Sequence, residues 1–245
     1  MKKTLTTLMA GLCIATTATA DTWLVGTDSA FAPFEFLDEK TNQYVGFDID
    51  LIKAVAAANG DTVEIRAMQF AGIIPAIQTN MIDVAVAGMT ITEARQKQIL
   101  FSDPYYDVGL VLSVKKNDAT RFQKLEDLAG QRICAQIGTT GAMLAKEVKG
   151  AKVVEFDNIG EAFMDLKMGG CQAVLNDKPV TDYYMTKSKN KDFVTINHLY
   201  NPEQYGFAVA KKNTKMAEKL NYGLKTIKAN GTYDKIHAKW FGTNQ

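Results

Sequence analysis

Asp83-Val-Ala-Val-Ala-Gly88 sets an unbroken apolar run between an acid and a glycine, directly after a helical stretch at Ile73–Thr79. Such a run has no polar face, so it reads as a strand buried on both sides, as in the middle of a parallel sheet. The second half of the chain holds an echo, Cys171-Gln-Ala-Val-Leu-Asn-Asp177, again after a helical stretch, Ile159–Met168. Each run ends in a polar loop, and open parallel sheets bind ligands beyond the carboxyl ends of their strands. Two such units facing each other would hold those loops across one cleft.

Working outward, Thr22–Thr27 and Thr62–Ala67 read as strands around a helix that starts near Asp48 and ends at Gly60. Asp48 reads as its N-cap and Asp50 as an acid in its first turn, where the helix dipole favours negative charge. Strands alternating with helices at this spacing predict an α/β fold. At Tyr105–Val114 the pattern changes to a longer extended run, after which a second series begins with Arg132–Gln136. A return run follows Asn201-Pro202, at Tyr205-Gly-Phe-Ala-Val-Ala, and two helical stretches close the chain. The chain therefore reads as a discontinuous first lobe, 21–104 plus 206–245, and a second lobe, 110–200, joined by hinge strands at 105–109 and 201–205. In each lobe a mostly parallel sheet is expected, flanked by helices.

The 245 residues suit two lobes of this kind, and 47% hydrophobic residues with five prolines exclude disorder or a collagen-like repeat. Charge is balanced at 28 basic to 27 acidic residues. That gives no basic field for nucleic acid and no polybasic patch for a membrane surface. The first twenty residues differ: Lys2 and Lys3, an apolar run over Leu5–Ala15, then Ala18-Thr-Ala20 before Asp21. This is the pattern of a cleavable secretory signal with a small-x-small site, so export with cleavage after Ala20 is expected. Two of the 28 basic residues leave with it, so 26 remain against 27 acids. Cys134 and Cys171 stay in an oxidising compartment; both fall in strands of one sheet at unequal depths and read as two buried thiols rather than a bridge. Cysteine and histidine spacing gives no metal site, and no cofactor is expected.

Gly46-Phe-Asp-Ile-Asp-Leu51, with Gly72-Ile-Ile-Pro-Ala76, Gly88-Met-Thr-Ile-Thr92, Phe101-Ser-Asp-Pro-Tyr-Tyr106 and Asn230-Gly-Thr-Tyr233, resembles the periplasmic polar amino acid-binding proteins of ABC importers, solute-binding protein family 3. The resemblance covers the chain beyond residue 20 and is greatest to glutamine-binding proteins, through Phe70-Ala-Gly-Ile-Ile-Pro75 and Gln204-Tyr-Gly206. It implies a two-lobed periplasmic binding protein fold of type II. The expected molecule is a monomer without catalytic activity that takes an L-amino acid between closing lobes and hands it to an inner-membrane ABC permease.

Residue by residue, the resemblance implies that Arg95 holds the ligand α-carboxylate, since a guanidinium donates two parallel bonds. Backbone N–H groups of Thr90 and Thr140 would add to it. Asp177 would take the α-ammonium with the Gly88 carbonyl and the Thr90 hydroxyl. Phe31 and Phe70 would sandwich the side-chain stem, and Asp28 would bond its far end. Gln136 and Asn176 stand where glutamine binders carry lysine and histidine. A ligand amide between Asp28 as acceptor and Gln136 as donor favours glutamine. Gly138-Thr-Thr140 resembles binders of basic amino acids, which are the alternative, and an exported enzyme such as a cyclohexadienyl dehydratase is a further one.

Overall fold

The computed structural model describes residues 20–188 and 192–242; of the expected leader, residues 1–19 lie outside them. In chain order the elements are β1 Thr22–Thr27, β2 Ala30–Phe31, β3 Glu35–Asp38, β4 Gln43–Val45, α1 Phe47–Ala58, β5 Thr62–Ala67, α2 Phe70–Gln78, β6 Val84–Ala85, α3 Glu93–Gln96, β7 Ile99–Phe101 and β8 Tyr106–Lys115. There follow β9 Arg132–Gln136, α4 Thr140–Glu147, β10 Lys152–Phe156, α5 Ile159–Met168, β11 Ala173–Asp177, α6 Lys178–Ser188, β12 Phe193–Thr195, β13 Tyr200–Tyr205, β14 Ala208–Ala210, α7 Thr214–Ala229 and α8 Thr232–Phe241.

The strands sort into two lobes. One large sheet has the order β5-β1-β6-β14-β7, the other β10-β9-β11-β8-β12 with β13 also on β8, and β2-β3-β4 form a small third sheet. In the first, β1 lies parallel to β5 and β6. In the second, β9 lies parallel to β10 and β11. The antiparallel additions are β14 in the first and β8 in the second. The chain passes between sheets after β7 and returns after β13. The two passages pair side by side, Val108 with Glu203, Asp107 with Gln204 and Tyr106 with Tyr205.

The apolar runs have the burial their composition demands. Val84 to Ala87 and Ala173 to Leu175 are all inaccessible to solvent. On α7, Ala217, Leu220, Leu224 and Ile227 repeat at helical spacing and form the buried stripe, and α1 packs Leu51, Ile52 and Val55 into the same core. Trp23 is buried yet satisfied, its indole N–H donating to Asp61 at 3.0 Å.

Two expectations are corrected. The residue preceding α1 is Gly46, at φ 138°, where a Cβ would lie 2.0 Å from the Phe34 carbonyl oxygen. Asp48 therefore does not cap the helix. It sits inside the first turn, fully buried, and accepts from the Gly88 N–H at 2.8 Å and the Tyr105 hydroxyl at 2.7 Å. Asp50 reaches the C-terminal helix, accepting from Lys239 at 2.6 Å and the Trp240 indole at 2.8 Å.

The second correction concerns the cysteines. Cys134 and Cys171 form a disulfide with a Cα–Cα separation of 5.9 Å. Only Cys134 is in a strand. Cys171 precedes β11, after the left-handed Gly169 that ends α5, so strand register does not fix its depth. The reading of two free thiols failed because it placed both residues within paired strands.

Candidate functional site

The loops after β1, β6, β9 and β11 converge between the sheets. They enclose about 250 Å³ of non-atom space lined by Phe31, Phe70, Ala87, Gly88, Thr90, Arg95, Gln136, Thr139, Thr140 and Asp177. A larger groove, about 1840 Å³ by the same measure, lies by the crossing strands, between Trp240 and Tyr183. The smaller space is the candidate site, because opposed buried charges meet there.

At one end, Asp28 follows β1 and is buried. Its Oδ1 accepts from the Ala30 N–H at 3.2 Å, and its Oδ2 accepts from Gln136 Nε2 at 2.6 Å. The same nitrogen donates to the Asp157 carbonyl at 3.1 Å. Both partners of Nε2 are acceptors, so the amide orientation is fixed by its surroundings and both its hydrogens are spent. What Gln136 has left to offer is an acceptor, Oε1. Burial raises the Asp28 pKa, partly offset by the Gln136 amide and the Ser29 and Ala30 backbone.

At the other end, Arg95 lies on the short helix α3, capped by the Thr92 side chain. It is 3% exposed. Its guanidinium donates to the Thr90 carbonyl at 2.7 Å and, across to the second lobe, to the Gly138 carbonyl at 3.0 Å. It also lies 5.2 Å from the centre of the Phe70 ring, within range of a cation–π contact. Burial lowers its pKa, opposed by Glu203 and Asp177.

Asp177 ends β11, is 4% exposed and has a buried Oδ1 without a hydrogen-bond partner. Burial and the nearby Glu203 push its pKa up to about 7, against the pull of the Tyr205 hydroxyl and Arg95. A carboxylate so placed is short of a cation. Behind it, Glu35 and Asp48 are both fully buried, and Glu35 Oε1 and Oε2 and Asp48 Oδ1 lack partners. Burial, then the charge of Asp48, raises the Glu35 pKa; burial pushes Asp48 to about 6 despite the Gly88 N–H and Tyr105 hydroxyl. Gly88 has φ +51°, and a Cβ there would lie 2.8 Å from the Phe31 ring.

Two of the residues singled out in the sequence do not line that space: Asp28, which meets it through Gln136, and Asn176. The Asn176 amide donates to Thr181 at 3.3 Å and the Asp177 carbonyl at 3.4 Å, within α6's first turns. One residue that bonds two lining hydroxyls of the site, and itself lines the larger groove, was missed. Glu203, on β13, accepts at Oε2 from the hydroxyls of Thr90 and Thr140, each at 2.9 Å. It belongs to no motif. The one signal for it was an acid just before Gln204-Tyr-Gly206, on a strand running beside the cleft.

Among the described residues, a group of His, Cys, Asp or Glu side chains close enough to share a metal comprises Cys134, Asp165 and Cys171. Its two sulfurs are joined in the disulfide. No described helix is long and apolar enough to cross a membrane.

Residues 24–243 match the family model described as bacterial extracellular solute-binding proteins, family 3. The chain belongs to that family. Among the family 3 relatives is an arginine-binding periplasmic protein of Mannheimia haemolytica, 34% identical over 247 residues and 99% of each chain. Among solved structures, an ancestral arginine-binding protein bound to glutamine matches with a TM-score of 0.87 and 45% identity, over 92% of this chain and 100% of that one. An ancestral arginine-binding protein bound to arginine matches with a TM-score of 0.87 and 46% identity, over 90% and 98%. This family 3 chain thus has the two-lobed α/β fold of its relatives.

Proposed function

We propose that the protein is the ligand-capturing component of an amino acid importer, and that it favours L-amino acids with a cationic, guanidinium-type side chain. Arg95 would hold the α-carboxylate, joined by the N–H groups of Thr90 and of Thr140 at the start of α4, where the helix dipole favours an anion. Asp177 would hold the α-ammonium with Gly88 and Thr90. Phe31 and Phe70 would flank the stem.

The observation that carries the side-chain preference is the pinned amide of Gln136. The sequence favoured glutamine on the assumption that Gln136 donates to the ligand's carbonyl oxygen. With both its hydrogens given to Asp28 and Asp157, the far end of the site offers two acceptors and no free donor. A guanidinium or ammonium supplies only donors and satisfies both, whereas an amide would leave its oxygen unpaired at a cost of about 1–3 kcal/mol. The M. haemolytica relative named for arginine supports this. The relative bound to glutamine marks amide ligands as the competitor.

Capture would proceed by closure about the crossing strands, with hinges at 105–109 and 201–205. Contacts from both lobes give the ligand its preference for the closed state. Lobe one would comprise 21–104 and 206–245, and lobe two 110–200. The monomeric closed form, exported to the periplasm after loss of residues 1–20, would dock on a membrane permease and release its ligand unchanged. The test is thermal unfolding of protein stripped of ligand by unfolding and refolding, screened against single L-amino acids, with mass spectrometry of the recovered ligand. Stabilisation by arginine or lysine and recovery of the ligand intact supports the reading; no stabilisation by any amino acid, or a converted ligand, refutes it.

A further inference from the structure

Glu203 sits where the two halves meet. Its strand β13 pairs with β8. Thr90 is strapped to that strand through backbone pairing with Tyr205 and through the Ile91 N–H donating to the Gln204 carbonyl at 2.8 Å. Thr140 opens α4 in the second lobe, whose sheet β13 joins through β8. One oxygen, Oε2, takes a hydroxyl from each at 2.9 Å.

We propose that Glu203 is a positioning residue that clasps the α-end of the cleft, tying the Thr90 and Thr140 hydroxyls together on closure and turning them into acceptors toward the ligand. A threonine hydroxyl has one hydrogen, and here both are spent on the carboxylate. What each oxygen presents to the cleft is a lone pair. Acceptors at Thr90 and Asp177 then stand opposite the donors of Arg95, so an amino acid is held in one orientation, ammonium to Asp177 and carboxylate to Arg95. A reversed ligand would set carboxylate against lone pairs and ammonium against guanidinium. Because Glu203 lies on a crossing strand and holds one hydroxyl from each lobe, opening must break at least one of the two bonds. The clasp therefore favours the closed form even without ligand.

The orienting role rests on the amino acid reading above, whereas the clasp itself does not, and the experiment separates them. Glu203→Ala, Glu203→Gln, Thr140→Val and the Glu203→Ala/Thr140→Val double variant are each confirmed as folded by circular dichroism. Ligand-free radius of gyration is then measured by small-angle scattering, and arginine affinity by calorimetry. Glu203→Ala is expected to enlarge the ligand-free protein and to weaken arginine roughly tenfold, about the value of one charge-assisted bond. Glu203→Gln, which keeps an acceptor, should stay within about threefold of the unmodified protein. Thr140→Val should repeat the alanine loss and add nothing to it in the double variant. Wild-type behaviour of Glu203→Ala in both measurements, or additive losses in the double variant, overturns the proposal. If the unmodified protein binds no amino acid, the ligand reading falls, and the scattering comparison still decides the clasp.

Discussion

Gln136 Nε2 lies 2.6 Å from Asp28 Oδ2, joining residues 108 positions apart and from opposite sheets of the molecule. The contact bridges the lobes and consumes the donor that would otherwise read a ligand amide. Gln136→Lys would add hydrogens beyond those that Asp28 and Asp157 accept, leaving one for a ligand oxygen. Arginine affinity is expected to fall by about tenfold or more and glutamine affinity to rise, as measured by parallel calorimetric titrations. A lysine variant that still prefers arginine would show that the amide is not what selects.

Arg95 is held by two carbonyls, Thr90 and Gly138, on opposite sides of the cleft. Arg95→Ala is expected to cost about 3 kcal/mol of amino acid affinity, roughly a hundredfold, by leaving a desolvated carboxylate unpaired. Equilibrium binding at constant salt measures it, and undiminished affinity would remove Arg95 from the site.

Asp177 gives the account a pH dependence with a definite sign. In the empty protein its pKa is pushed up to about 7, while an ammonium beside it demands the ionised form. Between about pH 7 and pH 4 binding should release a proton, so affinity should fall by up to about tenfold per pH unit on acidification and be flat above pH 7. Calorimetry at pH 6 in two buffers of different ionisation enthalpy counts that proton. For folding the sign reverses: a raised carboxyl pKa stabilises the empty fold below about pH 4, and that contribution is lost as pH rises toward 7. Asp177→Asn should flatten the binding profile and remove only its own share of the stability profile, because the buried Asp48, pushed to about 6, and Glu35 titrate in the same direction.

The disulfide closes a separation of 37 residues. On chain-entropy grounds its removal should cost about 4 kcal/mol. Denaturant unfolding of Cys134→Ala/Cys171→Ala against the unmodified protein reads the loss, and the ligand affinity should change little because neither sulfur lines the cleft. Equal stability of the two would contradict the bridge.

The layered α/β core was legible because Val84–Ala87 and Ala173–Leu175 have no polar face to leave in water. Arg95, Asp177, Phe31 and Phe70 were singled out through the family resemblance, and they line one space. Three features escaped, each for a reason that lies in tertiary structure. Asp48 has the sequence position of a helix cap, but the helix is capped two residues earlier, at Gly46, which turns the carboxylate inward to Gly88. The pairing of Cys171 depends on a turn outside the strand register. Glu203 is an ordinary acid in a polar stretch until β13 is laid along β8 and brings it between Thr90 and Thr140.

Calorimetric titration of the ligand-stripped protein with L-arginine and L-glutamine, at pH 7.5 and constant salt, tests the central claim most directly. Arginine should bind with a Kd at or below about 1 µM, and glutamine about tenfold or more weakly. Glutamine binding more tightly than arginine would contradict the two-acceptor account of the side-chain end, and no heat with either would contradict amino acid capture itself.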